Sequence, residues 1–580
     1  MSAPDDLSVD LGDGAYALPK LVTTSSDEAR AWFARALHYL YGFDHERARA
    51  CFDHAATIDD TFAMAYWGQA YAVSPSYNFL PGLNSPYEAV NKALAALTDA
   101  HSALERALIT ALHTRSSKAA HDAMDPTKMN FGNPPELNKA YADAMADVYA
   151  QFKDDAAAHL HVAAAYAEAL MNLRPWALWV KDADTGAITP ADENTPRIVD
   201  VLETALAAPG GMEHPALLHL YCHACELGPT PTKAEAVADK LRTLATNNGH
   251  LAHMPSHIYT WSGRWADGVD VNVVGVDVDD ARCTRVGVHA DFYSFYRMHN
   301  HHFVCWCAMM TGQRAVALRY ADKVDAQLGK GTATTMGVTF MLGGVVPLGA
   351  AFLEAFTINK WHVMVRFGMW DEIVAAPAYE SLELYPCGTA SRHYARGVAF
   401  ASTGKVAEAR AELDALEAAL EQGAFTGRML HNNAVWDADA SKPSILRVAR
   451  AVLRGEVLYR EGKFDDAFAA LRDAVKLDDG LMYDEPWGWM MPARHALGAL
   501  LLENGGVDEA IAVYERDLQI NVNNMWGLLG LKQALEKKGG ADASRIADLD
   551  ARLKAASKHA DIGDVKASCM CAQACGAAPP

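Results

Sequence analysis

Apolar and small residues recur along most of the chain at the three- and four-residue spacing of amphipathic helices, and short glycine turns separate the helical stretches. The first two helices carry their small and aromatic positions at Trp32, Ala36, Tyr39, Ala48, Phe52 and Ala55. Small alanines let two helices approach closely, while aromatic rings fill the remaining gaps. Met64, Gly68 and Tyr71 open the next unit one repeat length later, which indicates a repeated helix pair.

The C-terminal part repeats this pattern more regularly. One unit carries Gly455, Leu458, Gly462, Ala467, Leu471 and Ala474, the next Gly498, Leu501, Gly505, Ala510 and Tyr514, and a third begins with Trp526, Leu529, Gly530 and Ala534. The alternation of helix pattern and glycine turn leaves almost no room for a sheet. The pattern therefore predicts an all-α fold, an α-solenoid of tetratricopeptide-like helix pairs.

The pattern also divides the chain into segments. We expect an N-terminal segment (1–27), N-terminal helix pairs (28–180), a central histidine-rich helical region (181–325), a C-terminal repeat array (326–558) and a flexible cysteine-containing tail (559–580). Within the central part, 275–290 and 325–350 are rich in Gly, Val and Thr and are interpreted as long loops or weakly patterned helices.

Charge and composition narrow the possible partners and the compartment. The net charge of −21 disfavours nucleic acid and anionic membrane surfaces, which are held mainly through Lys and Arg. The chain shows no apolar run of membrane-spanning length, and its N-terminus lacks a basic-then-apolar signal. Ten cysteines without such a signal indicate free thiols in a reducing compartment. We therefore predict a cytoplasmic protein.

Histidine pairs in three consecutive helical segments form the candidate site. The pairs are His219 and His223, with Glu226 three residues further on, then His253 and His257, then His299 and His302. Spacing of three or four residues places each pair on one helical face. Imidazole is a common ligand of copper, iron and zinc, so we predict that these six histidines bind one or two divalent transition-metal ions.

Other polar residues receive roles around this site. Glu168, Glu226 and Tyr259 are predicted catalytic residues, and Asn172, Asn300 and Arg494 are predicted to contact substrate. For Arg494, a buried ion pair is the stronger alternative. His301 is interpreted as a spectator, and His113, His159 and His161 as isolated histidines. Cys222, Cys225, Cys305 and Cys307 are interpreted as core packing, and the cysteines at 569, 571 and 575 as thiols of the tail.

Several long stretches resemble a family of large tetratricopeptide-repeat proteins whose members mostly have no assigned activity. The stretches are AMAYWGQAYAVSP (63–75), AEALMNLRPWALW (167–179), HPALLHLYCHACE (214–226), GHLAHMPSHIY (249–259), HNHHF (299–303), VRFGMWDEI (365–373), HYARGVAFASTG (393–404) and DEPWGWMMPARHALG (484–498). The resemblance implies a helical-repeat fold from about residue 30 to 560. It also implies that the family pattern has a polar residue at each position of the candidate-site histidines.

Two functions follow from these observations. The first is a metal-dependent enzyme acting on a small molecule or peptide in a concave pocket, with oxidoreductase chemistry slightly favoured over hydrolysis. The alternative is a non-catalytic scaffold that binds a peptide or protein. A homodimer is possible with either. The chain contains no Gly-rich phosphate loop, no Gly-x-Ser-x-Gly elbow and no His-Glu-x-x-His motif, so nucleotide chemistry and serine hydrolysis have no support.

Overall fold

The structure, a computed structural model, describes residues 18–573 except 80, 129, 183–185, 245–246, 287–292, 329–337, 340–344, 347 and 541–542. Its helices in the first part of the chain are Asp27–Tyr41 (α1), His45–Ile58 (α2), Ala63–Val73 (α3), Tyr87–Ala95 (α4), Ala103–His113 (α5), Lys118–Asp122 (α6), Pro135–Phe152 (α7), His159–Met171 (α8), Asn194–Ala207 (α9), Pro215–Glu226 (α10), Glu235–Leu244 (α11), Gly249–His253 (α12), Pro255–Ser262 (α13), Trp265–Val286 (α14), Tyr293–Met310 (α15) and Arg314–Gln327 (α16).

The helices continue as Leu348–Ala355 (α17), Ile358–Arg366 (α18), Trp370–Ala375 (α19), Pro386–Ser402 (α20), Val406–Gln422 (α21), Ile445–Arg460 (α22), Phe464–Asp479 (α23), Ala493–Glu503 (α24), Val507–Ile520 (α25), Met525–Lys538 (α26), Ala543–Ala556 (α27) and Met570–Gln573 (α28). The described strands form short antiparallel hairpins: Trp179–Lys181 with Ile188–Pro190, Val338–Thr339 with Val345–Val346, and Met429–Leu430 with Asn433–Ala434. The predicted all-α fold of tetratricopeptide-like helix pairs is confirmed.

Glycines shape the helix pairs in two ways. Gly462 lies between α22 and α23 with φ +77°, a left-handed conformation that glycine adopts without steric cost. Gly530 of α26 faces the ring of Tyr514 in α25, and a Cβ atom there would lie 2.3 Å from the ring. A larger residue at position 530 would therefore force the two helices apart.

The chain divides into two compact units. The first comprises Met1–Ile258, Val273–Arg297 and Val338–Val346, and the second comprises Tyr259–Asn272, Met298–Gly337 and Pro347–Pro580. In the first unit, helix α10 packs against α1, α8 and α9. Because neighbours cover it on several sides, its polar side chains are buried within this unit.

The structure decides one segment that the sequence left open and differs from the expectation for another. Residues 275–286, expected as a loop or weakly patterned helix, continue helix α14 to Val286. Residues up to Gln573, expected as flexible, include the buried Ser568 and Cys571. Cys569 and Cys571 form a disulfide instead of the free thiols expected from the sequence. Cys575 lies outside the described residues. No helix among the described residues has the length and apolarity needed to cross a bilayer.

Candidate metal centre

Helix α10 carries the predicted face of His219, His223 and Glu226, and every residue of this helix is buried. Pro215 begins the helix, where its missing N–H costs no helical hydrogen bond. His219 and His223 are both fully buried, with ring centroids 4.8 Å apart. The i, i+4 spacing therefore places two imidazoles side by side inside the protein.

His250 of helix α12 completes a group of three imidazoles with His219 and His223, which we call the histidine trio. Each residue offers one ring nitrogen, and these nitrogens all lie within 4.8 Å of one another. The Nε2 atoms of His219 and His250 are 3.2 Å apart. Two imidazole nitrogens bound at ~2.0–2.1 Å to one tetrahedral ion would be about 3.3 Å apart, so this separation suits a shared ion.

Hydrogen bonds determine which ring nitrogens of His219 and His223 keep a lone pair for a metal ion. His219 donates through Nδ1 to the backbone carbonyl of Tyr41 at 2.7 Å, and His223 donates through Nδ1 to Glu226 Oε1 at 2.8 Å. In a neutral imidazole the other nitrogen, Nε2, then keeps its lone pair. His223 Nε2 is buried and has no hydrogen-bond partner within the described part of the chain. This pattern of outer hydrogen bonds is the one that orients metal-ligating histidines.

Glu226 links the trio to a second histidine pair. Its Oε2 accepts a hydrogen bond from His257 Nδ1 at 2.7 Å, while Oε1 accepts the one from His223. His257 Nε2 in turn lies 3.2 Å from His253 Nε2. His223, Glu226 and His257 also have potential ligand atoms within 4.8 Å of one another. One fully buried carboxylate therefore positions two imidazoles.

Aromatic rings enclose the trio. The ring of Phe43 lies 4.4 Å from that of His219, 5.9 Å from His223 and 5.7 Å from His250 between centroids. Phe43 adopts φ +54°, a left-handed conformation that costs a non-glycine residue roughly 1–2 kcal/mol. Tyr77 and Trp176 cover His223 from other directions. The surrounding rings help to bury the three imidazoles.

Burial keeps the imidazoles of His219 and His223 neutral. It holds the pKa of His219 and of His223 well below 6.5, and neighbouring imidazoles lower both further. Neutral imidazole is the form that donates a lone pair to a metal, so protonation competes with metal binding only under acidic conditions.

His161 is not isolated, contrary to the sequence interpretation. Its Nε2 accepts from the backbone N–H of Leu18 at 2.9 Å, and its Nδ1 lies 2.9 Å from the Tyr41 hydroxyl and 3.0 Å from His214 Nε2. Burial lowers the pKa of His214 to about 4. Tyr41 thus contacts this histidine pair through its hydroxyl and the trio through its carbonyl.

The predicted residues Glu168 and Asn172 lie at the end of helix α8 and have neighbours of their own. Glu168 is half-buried and accepts from the Tyr71 hydroxyl at 2.6 Å, and desolvation of its carboxyl raises its pKa. Asn172 donates to the Pro75 carbonyl at 3.3 Å. Glu168 and Tyr71 line a cavity of about 30 Å³, together with His161. A cavity of this size can hold one or two water molecules.

The predicted ligands His299 and His302 belong to the second unit, where they meet a histidine that the sequence did not suggest. His302 Nδ1 lies 3.3 Å from His431 Nε2, and the ring centroids of His299 and His431 are 5.0 Å apart. His431 occupies the tight turn between two strands with φ +50°. Burial holds the pKa of His302 well below 6.5.

The remaining predicted residues of this unit also have defined neighbours. Arg494 forms a two-pronged ion pair with the exposed Asp479. The Arg264 guanidinium stacks 4.1 Å above the ring of Tyr259, which is fully buried. Asn300 is also fully buried. His301 Nε2 lies 3.1 Å from the side-chain nitrogen of Gln327.

Sequence reasoning missed His250 as a candidate ligand, although a signal was present. His250 and His253 are three residues apart, so they share a helical face just as the predicted pairs do. Phe43 and the Tyr41 carbonyl left no such signal, because their positions depend on packing between distant helices.

No protein-family model matches the chain, and no curated protein sequence matches it. Among solved structures it is similar to yeast Tom70, with 11% identity and a TM-score of 0.30 over 90% of this chain and 98% of that one. It is also similar to a human IFIT1 dimer with m7Gppp-AAAA, with 10% identity and a TM-score of 0.27 over 97% and 96%. A third similar structure is the APC/C hetero-tetramer Cut9–Hcn1, with 12% identity and a TM-score of 0.27 over 96% and 97%. TM-scores this low give no information about the function of this chain.

Proposed function

We propose that the chain is a helical-repeat metalloprotein in which the histidine trio binds one transition-metal ion. The observation that carries the proposal is His223 Nε2, a buried nitrogen without a hydrogen-bond partner in the described residues, on one of three imidazoles that each offer a ring nitrogen within 4.8 Å of the other two. A buried polar atom without a partner costs roughly 1–3 kcal/mol. A bound cation would remove that cost and satisfy all three imidazoles together.

The donor set restricts the metal. Three neutral imidazoles suit copper, zinc, iron or nickel, whereas magnesium and calcium require oxygen ligands. The nearby Glu226 carboxylate would offset part of the positive charge through its hydrogen bond to His223. Three protein ligands also leave a fourth position open, which is the arrangement of catalytic rather than structural zinc sites.

The pair of His253 and His257 supports a second ion in the same unit. Their Nε2 atoms are 3.2 Å apart, and Glu226 orients His257 just as it orients His223. In this proposal Glu226 positions imidazoles and is not a general base, since both of its oxygens accept hydrogen bonds from them. The catalytic roles of Glu168 and Tyr259, the substrate contacts of Asn172, Asn300 and Arg494, and the preference for oxidation over hydrolysis stay predictions.

The family resemblance fits this proposal. His219, His223 and Glu226 lie in the stretch HPALLHLYCHACE, and His250, His253 and His257 lie in GHLAHMPSHIY. Two of the stretches that carry the resemblance therefore supply the whole group of imidazoles. We propose that metal binding is a property of proteins that carry both stretches.

The test is the metal content of untagged protein, measured by mass spectrometry for wild type and for His223→Gln. The matched control is His362→Gln, which also replaces a buried histidine but leaves the trio intact. We expect near-stoichiometric copper, iron, zinc or nickel in wild type and in the control, and its loss from His223→Gln. No metal in any of the three proteins, even after incubation with each ion, would overturn the proposal.

The fold supports a second candidate function at least as well. Arrays of tetratricopeptide-like helix pairs are used widely to bind peptides or proteins, and this role requires no metal. Peptide selection from a displayed library separates the two functions. A scaffold would retain the same peptides in the metal-free His223→Gln variant, whereas a metal-dependent site would lose its ligand together with the ion. The predicted homodimer is independent of both functions and stays a prediction.

A further inference from the structure

The last described residues of the chain are anchored in the second unit. The Ser568 hydroxyl lies 2.5 Å from the Tyr514 hydroxyl, and the Ser568 carbonyl accepts from Arg366 at 3.1 Å. Arg460 donates to the Cys571 carbonyl at 2.9 Å. These contacts hold the Cys569-Met570-Cys571 segment in one position. A cysteine pair held in this way differs from two thiols on a free tail.

A buried glutamate lies against this cysteine pair. Glu456 of helix α22 is 1% exposed, and its Oε2 has no hydrogen-bond partner among the described residues. An oxygen of Glu456 and the sulfur atoms of Cys569 and Cys571 all lie within 4.8 Å of one another. The three side chains therefore form a compact group of one oxygen and two sulfur donors.

The group borders a small cavity with a buried cation in its wall. The cavity has a volume of about 30 Å³, and Glu456, Cys569 and Arg366 are among its lining residues. Arg366 is 5% exposed, and its guanidinium donates to the Ser568 carbonyl and to His495 Nδ1, both of which are uncharged acceptors. A negatively charged centre beside this cavity would therefore be stabilised by a buried positive charge.

We propose that the reduced side chains of Cys569 and Cys571, together with Glu456, bind one zinc ion. Zinc accepts both thiolate sulfur and carboxylate oxygen, and the two sulfur atoms already lie together against the Glu456 carboxylate. Each thiol loses its proton as it binds, so two thiolates and one carboxylate surround the divalent ion with a net charge of −1. Arg366 offsets this charge. His495 is not a ligand, because its Nδ1 accepts from Arg366 and its Nε2 donates to Asp517.

The disulfide in the structure is the oxidised, metal-free form of the same pair. Reduction by a phosphine and water breaks the sulfur–sulfur bond and gives two thiols and a phosphine oxide. Oxidation by a small disulfide removes two electrons and two protons from the thiols, restores the bond and releases two small thiols. Zinc is not oxidised or reduced in either step, so the site holds its ion only in the reduced protein.

Cobalt(II) is the probe for this site, because thiolate-to-cobalt charge transfer gives a near-ultraviolet band that imidazole and carboxylate ligands do not give. The experiment uses the full chain with Cys575→Ser throughout, to prevent exchange with the third cysteine of the tail. We expect the phosphine-reduced protein to show the band once cobalt exceeds the amount that the histidine sites bind, and to lose it when zinc is added. The oxidised protein should show no band.

Three variants locate the ligands. Cys569→Ser/Cys571→Ser should abolish the band, and Glu456→Gln should weaken cobalt affinity by at least about tenfold. Cys283→Ser, at a half-buried cysteine in the other unit, should leave the band unchanged. Circular dichroism of each variant checks that it is folded. No band in the reduced parent protein, or a band that persists without Cys569 and Cys571, would overturn the proposal. Neither result depends on the histidine trio, since that group contains no sulfur.

Discussion

His223 Nδ1 lies 2.8 Å from Glu226 Oε1, and these two fully buried side chains are one helical turn apart on α10. The same carboxylate accepts a second hydrogen bond, from His257 Nδ1 at 2.7 Å. Both bonds place the proton of an imidazole on Nδ1 and leave the lone pair on Nε2. The glutamate therefore sets the chemical form of two candidate metal ligands that are 34 residues apart in the chain.

Glu226→Gln should weaken metal binding without removing a ligand of the trio. The amide has one acceptor oxygen, so only one imidazole keeps its Nδ1–H bond, while the other faces an N–H donor and changes tautomer. We expect a 10- to 100-fold loss of metal affinity, measured by competition with a chelator of known affinity.

The matched control for this substitution is Glu412→Gln. Glu412 also accepts from a histidine Nδ1, that of His393 at 2.7 Å, and it lies in the second unit. The metal affinity of the Glu412→Gln variant should equal that of wild type. Equal losses in the two variants would mean that the effect is general destabilisation and not orientation of ligands.

Phe43→Gly should be no more destabilising than Phe43→Ala, although glycine is the smaller residue. Both substitutions remove a buried ring, at a cost of roughly 3–5 kcal/mol. At φ +54°, however, glycine avoids the strain that alanine retains, which is worth about 1 kcal/mol. Phe33, buried in helix α1, is the control, where glycine should be the worse of the two by about 1 kcal/mol. Urea unfolding of the four variants measures both differences, and the same order at both positions would contradict the prediction.

Tyr41→Phe should lower the stability of the protein without changing its metal affinity. The substitution removes the hydroxyl that lies 2.9 Å from His161, so we expect a loss of about 1 kcal/mol in the free energy of unfolding. His219 is held by the backbone carbonyl of Tyr41, which the substitution keeps, so metal affinity should stay unchanged. A drop in affinity comparable to that of Glu226→Gln would show that the hydroxyl, and not the carbonyl, supports the trio.

His362 should make the second unit sensitive to acid. Burial lowers its pKa to about 3, below its value of 6.5 in the unfolded chain. Because the unfolded chain takes up the proton first, the stabilising contribution is complete above pH 6.5 and is lost as the pH falls toward 3. Between pH 7.5 and 5, wild type should lose about 2 kcal/mol more stability than His362→Gln. Urea unfolding at the two pH values measures this difference, and parallel losses would contradict it.

The fold could be predicted from the sequence because helix pairs are determined locally. The glycine turn at Gly462 and the contact of Gly530 with Tyr514 follow from spacing within one or two repeats. The face of His219, His223 and Glu226 follows from helical periodicity in the same way. These features need no information about which distant segments meet.

The rest of the candidate site depends on contacts between segments far apart in sequence. His219 bonds to the Tyr41 carbonyl across 178 positions, and His161 meets His214 across 53. Helical spacing describes the neighbours within one helix, so it suggested His161 as isolated and could not place Phe43 against the trio. The docking of Ser568 on Tyr514 was missed for the same reason, because a short polar segment carries no periodic signal of its own.

Because His223 and His257 share one carboxylate, metal binding at either histidine group would change the metal affinity of the other. A cation on Nε2 of either imidazole makes its Nδ1–H a stronger donor and draws the negative charge of Glu226 toward that ring. The other ring then receives less of that charge, and its lone pair becomes less basic. Two ions in this unit would therefore load unequally, the second more weakly than the first, and each would weaken the other by the same factor.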